Sequence, residues 1–259
     1  AHGGGQTRHA WSGAAKTVAF EGYRSIALDL RGHGESDWAA DGDYSLEAIA
    51  RDLIKVGEHV ARGGTRPHVV GASLGGLAAI VAAGMLSRDA FESVTLVDIT
   101  PNMDAAGVTK VVGFMGAHVH EGFDSLEQAA DVIATYLPHR PRPKDLEGLR
   151  KNLRQGEDGR WRWHWDPAFI TGVMRRSGVA HTGDLEQAVR DIRVPLHLIR
   201  GRMSELVSED SVAAFRSLAP QAHYTDVAGA RHMVAGDRND VFIEAVVSFL
   251  RTIREQTPV

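Results

Sequence analysis

A largely parallel α/β fold is predicted by two observations. Short runs rich in Val, Ile and Leu alternate with longer helical patterns along most of the chain, which is how βα units read in sequence. One strand-to-helix junction, after the run Val69-Val70, reads Gly71-Ala72-Ser73-Leu74-Gly75-Gly76. A G-x-S-x-G string between a strand and a helix is the context of a nucleophile elbow, where a sharp turn presents the serine hydroxyl above the sheet. Glycines are needed there because a Cβ at the first or last motif position would crowd the adjoining strand and helix. The helix that follows begins with backbone N–H groups that have no partner within the helix, aimed where an oxyanion would form. The string alone arises by chance often enough that its context must decide.

The elements follow in order. Ser25 to Leu30 reads as a buried strand running into Asp29-Leu30-Arg31-Gly32-His33-Gly34, whose glycines mark a loop. Ser45 is the predicted N-cap of a helix reaching about Ala61. His68 to Val70 is the next strand, Leu74 to Leu86 the helix after the elbow, and Val94 to Asp98 a further strand closed by Pro101. From Pro101 to Arg193 the pattern is helical with no convincing strand; Pro138-His139-Arg140-Pro141-Arg142-Pro143 is a stiff break. The alternation then resumes, with strands at Leu196 to Arg200 and His223 to Val227 and helices at Ser208 to Leu218 and Asp237 to Arg251. The domain reading is a core of residues 1–100 and 194–259 with a helical insertion, 101–193, over one end of the sheet.

Composition narrows the class. A chain of 259 residues, 43% hydrophobic and 24% charged, suffices for a large core and is no disordered segment. The net charge of −4 gives no footprint for nucleic acid, and no apolar run is long enough to span a bilayer. The absence of cysteine rules out disulfides and thiolate-ligated metals, and fits a cytoplasmic protein.

A serine nucleophile needs a base, and the base needs a carboxylate to orient it. His232 follows the last predicted strand, in Ala228-Gly229-Ala230-Arg231-His232-Met233, on the sheet edge where ligands bind in open α/β folds. Glu205, in Gly201-Arg202-Met203-Ser204-Glu205, lies just past the preceding strand on the same edge. The order Ser73, Glu205, His232 is the one expected of this architecture.

With these motifs the chain resembles the α/β-hydrolase fold superfamily, in its capped esterase, lactonase and haloperoxidase-like branch. His2-Gly3-Gly4-Gly5-Gln6 resembles that family's His-Gly oxyanion loop, Asp29 to Ser36 its loop after the fourth strand, and Gly71 to Gly75 its elbow. The resemblance implies an oxyanion hole made by the backbone N–H groups of Gly4 and Leu74, and a helical cap over residues 101–193. It also implies strands ahead of the His-Gly loop, so a sequence starting at Ala1-His2 is expected to begin inside the domain. Family members often carry aspartate as the acid; Asp98, just past another strand, is the alternative to Glu205. Serine at the nucleophile position argues against the family's epoxide hydrolases and dehalogenases, which use aspartate.

The implied activity is hydrolysis of a small or medium carboxylic ester or lactone through an acyl-enzyme, with no metal or organic cofactor. Perhydrolysis of the cofactor-free haloperoxidase type and C–C bond hydrolysis use the same residues, and a receptor that senses small molecules without turnover is the rival from another class. The expected partner is the small-molecule substrate, with a homodimer allowed. Trp161, Trp163, His164 and Trp165 read most simply as packing of the cap on the core; the sharper reading places some of them on a substrate pocket. His118, His120 and Glu121 lack a third ligand at a supporting spacing and read as cap surface. Asp29 reads as a partner for nearby loop backbone.

Overall fold

The computed structural model describes residues 1–61, 64–142, 144–175 and 182–256; Pro143, in the proline-rich break, lies outside them. Four strands, β1 (His68–Ala72), β2 (Ser93–Val97), β5 (Leu196–Gly201) and β6 (His223–Val227), form one sheet in the order β1-β2-β5-β6. Every pair is parallel, with Val69 opposite Val94, Leu96 opposite Leu198 and Ile199 opposite Thr225.

The sheet is covered on both faces, as parallel sheets must be. Val69, Val94, Leu96, Leu196 and Leu198 face a core shared with α2 (Leu46–Val60), α3 (Leu74–Val81), α7 (Thr182–Asp191) and α8 (Glu209–Leu218). Val97, Ile199 and Val227 face the other way, toward α1 (Ser12–Phe20) and α9 (Asn239–Gln256), where Trp11 packs on Phe242. The helix starts are capped as their sequences require: Ser45 accepts from Ala48 N–H and Ser208 from Ser211 N–H. No described helix is long and apolar enough to cross a membrane.

Three expectations are corrected. Residues 25–30 form no strand. Ala1 and His2 stand between them and β1: Ala1 N donates to Val70 O, Ala72 N–H donates to Ala1 O, and Leu30 N–H donates to His2 Nε2. Second, the segment after β2 is not wholly helical. Beyond α4 (Ala105–Gly116) and α5 (Leu126–Tyr136), the strands β3 (Leu153–Gln155) and β4 (Trp161–Trp163) make an antiparallel hairpin, followed by α6 (Pro167–Arg175). Its signal was the alternation Trp161-Arg162-Trp163, buried rings with a polar residue between them. Third, α7 belongs with the core: Leu185, Ala188 and Val189 pack into the cluster around α3. The approach is close enough that a Cβ on Gly84 would stand 2.2 Å from Ala188 O.

Between β2 and β5 the chain builds a third apolar cluster from Met115, Phe123, Trp163, Trp165 and Phe169, which Tyr44 joins from the core side. It roofs the sheet edge where β1, β2 and β6 end.

Candidate active site

The turn from β1 into α3 puts Ser73 at φ 47°, ψ −115°, a backbone region that side chains rarely adopt and that costs on the order of 1–3 kcal/mol. The glycines around it allow the turn. A Cβ on Gly71 would lie 2.5 Å from Gly75 O, and one on Gly76 2.4 Å from Ile99 Cγ2. Gly71→Ala is therefore expected to cost about 2–3 kcal/mol through overpacking, a fall in Tm of about 5–10 °C. Gly113, in α4 with nothing within 4 Å of its added Cβ, is the control: Gly113→Ala should leave Tm equal or higher. Equal Tm for both variants in a thermal melt would show that the elbow is not close-packed.

Ser73 and His232 line one cavity of about 680 Å³. His232 Nδ1 stands 2.8 Å from Asp98 Oδ2. A carboxylate only accepts, so Nδ1 carries the hydrogen and Nε2 keeps a free lone pair. Asp98 is fully buried and has φ 51° at the end of β2. Its Oδ1 accepts from Gly201 N–H at 2.9 Å, and its Oδ2 also accepts from Ser204 Oγ at 2.5 Å. Ser204 Oγ is itself held by Leu206 N–H and Val207 N–H.

Of the two candidate acids, the structure brings Asp98, the alternative, to His232, and not Glu205. The loop after β5 supplies no carboxylate to His232; it supplies the Ser204 hydroxyl that, with the amide of Gly201 at the end of β5, holds Asp98 in place. Glu205 faces another neighbour: burial and then the Glu205 charge push Tyr136 up to about 12. Glu205 Oε2 is buried with no hydrogen-bond partner among the described residues.

The backbone donors expected at the cavity wall are free. Gly3 N–H donates to Gln6 Oε1 and Gly5 N–H to His33 Nε2, while Gly4 N–H makes no hydrogen bond among the described residues. Leu74 is the first residue of α3, so its N–H has no partner within the helix. Gly4 and Leu74 both line the cavity.

Of the aromatic candidates, Trp163 and Trp165 line the cavity, stacked with centroids 4.8 Å apart. Trp161 and His164 are not on its wall. Trp161 lies under the Arg150 guanidinium, and His164 accepts Gly34 N–H at Nδ1.

His164 belongs to a feature that the sequence analysis missed, a row of three buried histidines, His2, His33 and His164, with neighbouring ring centroids 5.2 and 5.8 Å apart. Each accepts a backbone N–H: Leu30 on His2, Gly5 on His33, Gly34 on His164. Together they tie the 3–5 loop to the 30–34 loop. Asp29 adds to the tie by accepting from Arg8 N–H and Glu35 N–H. Burial opposes its charge, but these two amides and the Arg8 guanidinium hold its pKa below the usual carboxylate value. The available signal was that two of the three histidines stand inside the loop motifs themselves.

Burial pushes His33 down to about 4, burial and then neighbouring His33 push His164 down to about 4, and His2 falls well below its ordinary value for the same two reasons. His197, on β5 opposite His223, is also pushed down to about 4, by burial and then by His223. Below pH 6.5 the unfolded chain takes up these protons first, so stability is whole above 6.5 and drains as pH falls toward 4. Each histidine contributes a slope approaching about 1.4 kcal/mol per pH unit inside that window. Tm measured from pH 7.5 to 4 should fall through the window, and less steeply in His33→Gln. Superimposable curves for the two proteins would remove His33 from this account.

Comparison with known proteins places this geometry in a family. The family model described as alpha/beta hydrolase fold matches residues 1–238, and the chain belongs to that family. It is a hydrolase enzyme of that fold. Among curated proteins it is similar to Esterase Rv0045c of Mycobacterium tuberculosis, 30% identical over 97% of this chain and 81% of that one. It is also similar to 2-(acetamidomethylene)succinate hydrolase of Mesorhizobium japonicum, 30% identical over 88% of this chain and 78% of the other. A solved structure of the M. tuberculosis esterase superposes with TM-score 0.74 at 30% identity, over 96% of this chain and 83% of that one.

Proposed function

We propose that the chain is a serine esterase that cleaves a carboxylic ester or lactone with an apolar part through a covalent acyl-enzyme. The observation that carries this reading is the convergence on one cavity of Ser73, of His232 oriented by a buried carboxylate, and of two free backbone N–H groups.

Ser73 Oγ attacks the carbonyl carbon while His232 Nε2 takes its proton. Charge gathers on the carbonyl oxygen, where the Gly4 and Leu74 N–H groups donate to it. Asp98 holds the Nδ1–H tautomer and stabilises the imidazolium without being protonated itself. As the tetrahedral adduct collapses, His232 gives its proton to the leaving alcohol. A water then loses its proton to His232, attacks the acyl carbon and releases the acid with Ser73 restored. The segment 101–175 serves as a cap: it brings Met115, Trp163, Trp165 and Phe169 onto the cavity, excluding water around the acyl group.

Relatives named as an esterase and as a hydrolase support ester cleavage over perhydrolysis, C–C cleavage or ligand sensing. The test is labelling by a fluorophosphonate followed by peptide mass analysis. The adduct is expected on Ser73, together with turnover of p-nitrophenyl esters. A folded protein with neither signal would refute the reading.

A further inference from the structure

The cavity, about 680 Å³, is larger than ester chemistry requires, and one helix with its continuation supplies a row of its wall. Ser73, Leu77, Val81 and Met85 all line it, and their four-residue spacing sets them in one row along the helix. The row begins at the nucleophile, follows α3, and ends in the π-helical turn Ala82–Leu86 that continues it. Met103, Val108 and Leu206 also line the cavity and, like Leu77 and Val81, pack in or against the core around α3. None of these side chains is charged. The cavity's charged and titratable groups, His9, Tyr44, Glu47, Tyr136, Lys151 and His232, stand on other elements.

The far end is identifiable. Met85 is 48% exposed and also lines a separate surface pocket with Arg88, Asp184 and Asp191, so its side chain stands between the cavity and solvent. At about 1.5 Å per helical residue, the row from Ser73 to Met85 is about 18 Å long. Bonds of about 1.52 Å meeting near 111° advance an extended alkyl chain roughly 1.25 Å per carbon.

We infer that this row is the wall of an acyl-chain arm, and that the preferred substrates are esters of unbranched fatty acids of about ten to fourteen carbons, with the chain laid along α3 and ending at Met85. The inference rests on the esterase reading for its chemistry but not for its geometry, so binding is measured apart from turnover. Each methylene moved from water into the arm strengthens binding about threefold to fourfold, until the chain meets Met85.

Ser73→Ala protein is titrated calorimetrically with hexanoate, octanoate, decanoate, dodecanoate and tetradecanoate, each below its micelle concentration. Kd is expected to fall with each step and to level off near dodecanoate. Adding Val108→Phe, at a half-buried position of α4, should level it off at a shorter acid; adding Met85→Ala, at the open end, should move the limit to a longer one. The second variant keeps the test decisive if the first fails to fold. A flat series, or a limit that neither substitution moves, overturns the arm. In parallel, native protein is assayed on p-nitrophenyl acetate, hexanoate and decanoate. A binding gradient with none of these esters cleaved would sink the esterase reading and keep the arm. Cleavage with equal kcat/KM for acetate and decanoate would sink the arm and keep the esterase.

Discussion

Ser73→Ala is expected to lower kcat on any ester that the native protein cleaves by about 10⁴–10⁶-fold, with Tm nearly unchanged. The substitution removes one oxygen and keeps the Cβ, so the elbow geometry at φ 47° and the contacts of Gly71 and Gly76 stay as they are. What is lost is the covalent route. The Gly4 and Leu74 amides still stand at the cavity wall, and the residual rate is what they and substrate binding supply to direct attack by water. Steady-state kinetics on purified variant, with a melt on the same sample, reads both quantities. A kcat within tenfold of native would mean that Ser73 does not form the acyl-enzyme. A collapse in Tm would mean that the hydroxyl is structural.

Much of the scaffold was legible because its signals are local. The four strands of the parallel sheet are short runs closed by turn residues, three of them mostly apolar, Ser45 and Ser208 precede their helices as caps, and the glycines of the elbow stand where close approach forbids a Cβ. What escaped depends on partners far away in the chain. Residues 25–30 have strand composition, yet a strand exists only through its pairing, and they pair with no strand among the described residues. α7 reads as an amphipathic helix wherever it sits; only its fit against Gly84 assigns it to the core. The histidine row is built from three positions as far apart as His2 and His164, and no spacing rule connects them. The acid was the hardest case, since Asp98 and Glu205 both follow strand ends on the correct edge. What separates them is the left-handed backbone at Asp98, which turns its carboxylate toward His232, and that is a property of the folded loop.

Asp98→Asn is expected to lower kcat by about 10⁴-fold with little change in KM, while Glu205→Gln stays within a fewfold of native. The carboxylate of Asp98 accepts from His232, Ser204 and Gly201. An amide in its place sets an NH₂ group against one of these donors, so either His232 takes the other tautomer, with Nε2 protonated and useless as a base, or the amide turns and meets Gly201 N–H with its own hydrogens. Glu205 has no comparable hold on the base, since its charge is felt at Tyr136 and its Oε2 accepts nothing among the described residues. Ser204→Ala should fall between the two, about 10–100-fold in kcat, because it removes one charge-assisted hydrogen bond from Asp98 and leaves the carboxylate itself. Ser204→Thr keeps a hydroxyl to donate to Asp98 and should recover part of the loss. The ranking Asp98→Asn, then Ser204→Ala, then Glu205→Gln is the signature of a base held by Asp98. The reverse ranking, with Glu205→Gln the most damaged, would return the acid to the loop after β5 and leave the Asp98–His232 hydrogen bond as a structural contact.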